Sequence, residues 1–73
     1  MSEIFDLSKL NIGQIGEIVD LEADELQKDF GMGKGMSVII LQKAMHWLVQ
    51  VGYNQLSLTN DLVEKILVKK AEV

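Results

Sequence analysis

No cysteine and no arginine occur in this 73-residue chain, and the two absences close several routes to function. Without thiols there is neither a disulfide framework nor a thiolate zinc site to reinforce the core, and the cytoplasm is the expected compartment. Without arginine the chain lacks the planar fork that clamps phosphate in bidentate fashion, and with it the means to stimulate a GTPase by an inserted arginine finger. No apolar run approaches the ~20 residues that a membrane-crossing helix requires. The start, Met1-Ser2-Glu3-Ile4-Phe5-Asp6, has no basic segment followed by an apolar stretch, so the protein is expected to be neither exported nor embedded. One histidine, His46, leaves no Ser/His/Asp or Cys/His set, so neither catalysis nor a bound cofactor is expected.

What is present is the composition of an ordinary folded domain, 48% hydrophobic and 25% charged. A chain of this length has room for one core, and residues 1–73 read as a single domain. Charge is uneven. Residues 1–36 hold eight acids against three lysines, a net −5, while residues 37–73 are at +1. A total of −4 repels phosphate backbones, which excludes DNA and RNA as expected partners.

Six glycines, Gly13, Gly16, Gly31, Gly33, Gly35 and Gly52, bracket short β-branched runs and predict a small, sharply bent sheet. Leu7–Ile12 reads as an extended or one-turn lead-in with Ser8 as its cap. A first strand runs from Gln14 to Leu21, where Ile15, Val19 and Leu21 share one parity and Ile18 takes the other, and Gly16 permits a bend. Asp24-Glu25-Leu26-Gln27 has the form of a capping box and opens a short helix that ends at Gly31. The run Gly31-Met32-Gly33-Lys34-Gly35 reads as a turn, because a phosphate loop needs a strand before it and a helix after it. Met36–Gln42 is a central strand. Met45, Trp47, Val49 and Val51 alternate along the next, and Gly52-Tyr53-Asn54 turns the chain into Gln55–Leu58. Thr59 or Asn60 caps a brief helical turn through Lys65, Ile66–Lys69 closes the sheet, and Lys70–Val73 forms a frayed tail. Asp20, Glu22, Asp24, Glu25 and Asp29 make the one carboxylate cluster. Selective transition-metal sites add imidazole or thiolate, so a solvated acidic face is expected there rather than a metal site.

Five strands in so short a chain avoid long exposed edges by closing into a barrel. Their layout resembles the ferrous-iron transport protein A (FeoA) family. The resemblance is carried by Leu7-Ser8-x-Leu10, Gly13-Gln14-x-Gly16-x-Ile18-Val19, Phe30-Gly31-Met32, Gly35 before Val38, Val49-x-Val51-Gly52, Leu56-x-Leu58 and Ile66-Leu67-Val68. Lys34 stands where the family commonly has proline. Lys43-Ala44-Met45-His46 replaces a Gly-Asp-Pro-like turn, and Tyr53 replaces a second glycine.

The resemblance implies a mainly β fold, a small five-stranded SH3-like barrel with one short α-helix after the first strand and a short helical turn before the last. It also implies a cytoplasmic accessory of ferrous iron uptake that contacts the FeoB membrane transporter and its GTP-binding domain, reaching the membrane only through that partner. Because methionine and aromatic side chains favour protein interfaces, Met32, Met45, Trp47 and Tyr53 are the expected partner-binding residues, with Met36 as a further member. Trp47 shares its strand parity with Val49 and Val51, which favours a core position for it and still more for Met36. A stand-alone regulatory module, related to the terminal domain of metal-dependent repressors and lacking a preceding helix-turn-helix, is the alternative, as is weak homo-oligomerisation through strand edges.

Overall fold

The β-branched runs between glycine turns become antiparallel strands in the computed structural model, which describes residues 3–71. These are β1 (Phe5–Asp6), β2 (Ile15–Leu21), β3 (Ser37–Gln42), β4 (Trp47–Val51), β5 (Asn54–Leu58) and β6 (Ile66–Lys70), with helices α1 (Asp24–Lys28) and α2 (Asn60–Val63). They form one six-stranded sheet in the order β1-β6-β2-β3-β4-β5. The five strands expected from sequence are β2 to β6. The sixth, β1, places Phe5 opposite Val68 and Asp6 opposite Leu67. Two residues carry no alternation to read, so only the partner strand reveals it, and α1 consequently follows the second strand rather than the first.

Among the described residues no ladder joins β1 to β5, so the sheet curls about its core without the continuous hydrogen-bonded ring of a closed barrel. A 3-10 turn at Leu7–Lys9 and α2 lie against each other, and each contributes to the same interior. That turn is capped by Asp6, whose Oδ1 accepts from the Ser8 N–H at 3.0 Å and from the Ser8 hydroxyl. Ser8 is thus a donor to the cap and not the cap itself. Glu72 and Val73, the end of the expected frayed tail, lie outside the described residues, and Lys70 belongs to β6.

One hydrophobic cluster occupies the interior. Val38 and Ile40 of β3, Val49 and Val51 of β4, and Ile66 and Val68 of β6 enter it by strict alternation, joined by Leu7, Leu10, Leu26 and Val63 from outside the strands. In β2 the inward parity belongs to Gly16 and Ile18, while Ile15 is 52% exposed. Ile18 faces Val68 and Asp20 faces Leu67, so Val19 is an extra, unpaired residue. This bulge explains the broken alternation in the sequence. A second one leaves Leu41 unpaired between the Ile40–Val49 and Gln42–Leu48 pairs.

Gly16 serves packing rather than bending. A Cβ built on it would stand 3.1 Å from Leu10 Cδ2 and 3.4 Å from the Lys69 carbonyl oxygen, so the absent side chain leaves room for Leu10 to pack against the β2 backbone. Gly52 serves geometry. It holds φ +59° at the first position of the two-residue turn between Val51 and Asn54, where the hairpin twist demands a left-handed backbone.

Helix α1 begins one residue earlier than the capping box predicts. Ala23 occupies the cap position in an extended conformation with no side-chain bond, and Asp24 lies inside the first turn, beside Glu25, where negative charge suits the helix dipole. The glycine-rich segment after α1 is fastened to β2. The Gly35 N–H donates to the Ile18 carbonyl at 2.7 Å, and the Ile18 N–H donates to the Met36 carbonyl at 2.9 Å. Its backbone extends the sheet, in keeping with a turn.

Candidate docking surface

Trp47 opens β4 opposite Leu58, its ring half-buried against the core cluster. The indole Nε1–H donates to Asn60 Oδ1 at the start of α2, which fixes the ring's orientation from the far side of the hairpin. Lys43 stands over the ring with Nζ 5.2 Å from its centroid, within the range of a cation–π attraction, and Nζ also donates to the Ser8 carbonyl at 3.5 Å. The segment 43–46, which joins β3 to β4, carries Met45 at 85% exposure. This end of the molecule therefore presents a flexible thioether beside an oriented indole, edged by an ammonium and a carboxamide. Such a mixture of apolar area and polar tips suits contact with another polypeptide.

The remaining expected contact residues are elsewhere. Met32 is 2% exposed and belongs to the core cluster, so its side chain has no surface to offer. Tyr53 is fully exposed at the β4–β5 turn, at the opposite end of β4 from Trp47. A strand rises about 3.3 Å per residue, so the four steps from Trp47 to Val51 separate the two ends by about 13 Å. Met36 is half-buried and lies across Gly52, on the Tyr53 side. Beside it an open cleft of about 210 Å³ is lined by Ile15, Ser37, Val38, Ile39, Gln50 and Gly52. The single patch expected from sequence is thus two surfaces, Met45 with Trp47 at one end and Tyr53 at the other.

Sequence reading missed Lys43 and Asn60. Lys43 lies four residues before Trp47 with no periodic signal to connect them, and Asn60 was accounted for as a helix cap. The carboxylates do not gather. Asp20 stands 3.8 Å from Lys34 in an exposed ion pair and accepts the Leu21 N–H at 2.8 Å. Among the described residues no three acidic or histidine side chains converge to hold a metal ion.

A fold of this kind has known relatives. Residues 5–70 match the sequence profile of the FeoA domain. The structure is similar to a FeoA-like protein from Clostridium acetobutylicum, with a TM-score of 0.83 at 19% identity over 100% of this chain and 93% of that one. It is also similar to FeoA of Stenotrophomonas maltophilia, solved with zinc and described as a prokaryotic SH3 domain protein, with a TM-score of 0.73 at 20% identity over 93% and 88% of the two chains. A manganese-dependent transcriptional repressor shares the fold, with a TM-score of 0.83 at 12% identity, over 97% of this chain and 44% of the repressor. No curated protein sequence matches this chain. With the profile spanning nearly its whole length and the fold shared with solved FeoA proteins, the chain belongs to the FeoA family of SH3-like domains.

Proposed function

We propose that this chain is a cytoplasmic, non-enzymatic accessory of ferrous iron uptake that docks on the soluble GTP-binding domain of a FeoB-like transporter. The observation that carries this reading is the FeoA domain match over residues 5–70. The docking surface is the Met45–Trp47 end. Met45 is free to adapt to a partner, and Trp47 is oriented by Asn60 and Lys43. SH3-like barrels hold peptide segments against aromatic side chains in this manner, which supports the assignment by analogy.

Titration of the transporter's soluble domain against wild type, Met45→Ala and Trp47→Ala, each with its folding checked, tests this. Both variants are expected to weaken binding, with Trp47→Ala costing at least tenfold, as interface aromatics do. Unchanged affinity for both would refute the surface. A membrane pull-down with tagged protein, with and without guanine nucleotide, tests the partner itself. A stand-alone regulatory role is the second reading. It draws on the fold shared with the repressor, and it is favoured if the transporter is absent from the pull-down.

A further inference from the structure

The two edges of the sheet are unequal in a way that bears on assembly. At one edge β1 is two residues long and carries Asp6, a short charged edge of the kind that discourages further pairing. At the other, β5 is five residues long, Asn54-Gln55-Leu56-Ser57-Leu58, with no charge, proline or glycine, and its ladder to β4 runs without a bulge. None of the usual protections against strand addition is present on it. In the β4–β5 hairpin, Val51 and Asn54 flank the two-residue turn and exchange the closing bonds. Alternation then directs Leu56 and Leu58 toward β4 and leaves the N–H and C=O of Gln55 and Ser57 on the free side. Among the described residues no other backbone group takes them up.

We infer that β5 is a self-pairing edge, through which two copies of this chain form an antiparallel, two-fold dimer centred on Leu56. The free groups lie on two residues that straddle one position, so the edge is complementary to itself. Gln55 of one copy meets Ser57 of the other, and each pair exchanges both backbone bonds. Two copies of a chain with net charge −4 repel each other, and a charge-free strip is the part of the surface where they approach at least cost. Leu56, half-buried on the core-facing side opposite Val49, meets its own counterpart across the axis and adds apolar contact. The edge is distinct from the Met45 loop, so dimerisation does not rest on the transporter reading.

Sedimentation equilibrium over micromolar to millimolar concentration tests the inference. The wild type is expected to shift from monomer to dimer mass, at lower concentration in higher salt, because screening removes the repulsion. Ser57→Pro removes an outward N–H that the fold does not use, and Ser57→Lys places a charge on the edge; both are expected to hold the monomer mass throughout. Should Ser57→Pro not fold, Ser57→Lys decides.

The chain has no cysteine, so Leu56→Cys reports the register directly. Two such residues across the axis stand about 4.5 Å apart at their Cα atoms, within disulfide range, and are expected to cross-link under mild oxidation. Asn54→Cys, placed opposite Leu58 of the second copy, is expected not to. A wild type that stays monomeric, association untouched by either Ser57 variant, or equal cross-linking at both cysteine positions would overturn the dimer and leave β5 as an edge for an unrelated strand.

Discussion

At Gly16 a single hydrogen atom in place of a side chain decides how Leu10 reaches the core. A methyl group there would meet Leu10 Cδ2 at 3.1 Å with the Lys69 carbonyl at 3.4 Å behind it, and backbone of the β2–β6 ladder has little freedom to retreat. The conformation at Gly16 lies outside the left-handed region, so steric crowding alone opposes substitution. Gly16→Ala is therefore expected to destabilise the fold by about 1–3 kcal/mol, the usual cost of overpacking, read as a lower urea midpoint with an unchanged slope. A neutral or stabilised variant would show that Leu10 has somewhere else to go. Met32 teaches the complementary lesson. Its neighbours Gly31 and Gly33 mark a turn, where side chains are normally exposed, yet the Met32 N–H reaches back to the Leu26 carbonyl at 3.1 Å and the side chain is carried into the core.

At the scale of elements, both helices are too short to persist alone and exist because the core holds one buried side chain from each, Leu26 from α1 and Val63 from α2. Helix α1 also lacks a side-chain cap, since Ala23 sits in the extended cap conformation, φ −134° and ψ 130°, with nothing to offer the free N–H groups. Ala23→Ser supplies that oxygen with little change in volume and is expected to add about 1 kcal/mol, seen as a higher urea midpoint. No gain would mean that water or the Asp24 and Glu25 carboxylates already serve those groups. The strands tell a different story. Alternation is legible in β4, where Met45, Trp47, Val49 and Val51 keep one parity, whereas the apolar runs of β3 and β6 show no period, and β2 changes parity at Val19, a change that depends on a partner strand about fifty positions away.

For the whole molecule, all buried hydrophobic side chains among the described residues form one cluster, contributed by the 3-10 turn, both helices and five of the six strands. Helices and sheet have no separate interior to retain if the other melts. Urea unfolding is expected to be a single transition, with far-UV circular dichroism and the fluorescence of the one tryptophan, Trp47, superimposing on the same midpoint. Two separated midpoints would show that the Trp47–Asn60 end opens independently. Surface ion pairs contribute little to this stability. Lys34–Asp20 and Lys69–Glu17 are both 3.8 Å apart and substantially exposed, which places each in the range of about 0–1 kcal/mol.

The order of the strands β2 to β6, the turn at Gly52, the turn character of the glycine-rich segment and the family resemblance were all written in consecutive residues. Each rests on local backbone preference or on a period that neighbours share, and such information does not require a partner. The tertiary structure alone decided the rest: that Phe5–Asp6 pairs with β6, that Val19 and Leu41 bulge, and that Met32 is core. Those outcomes depend on which residue stands across the sheet, and register is a property of two segments at once, settled only when the chain has closed on itself.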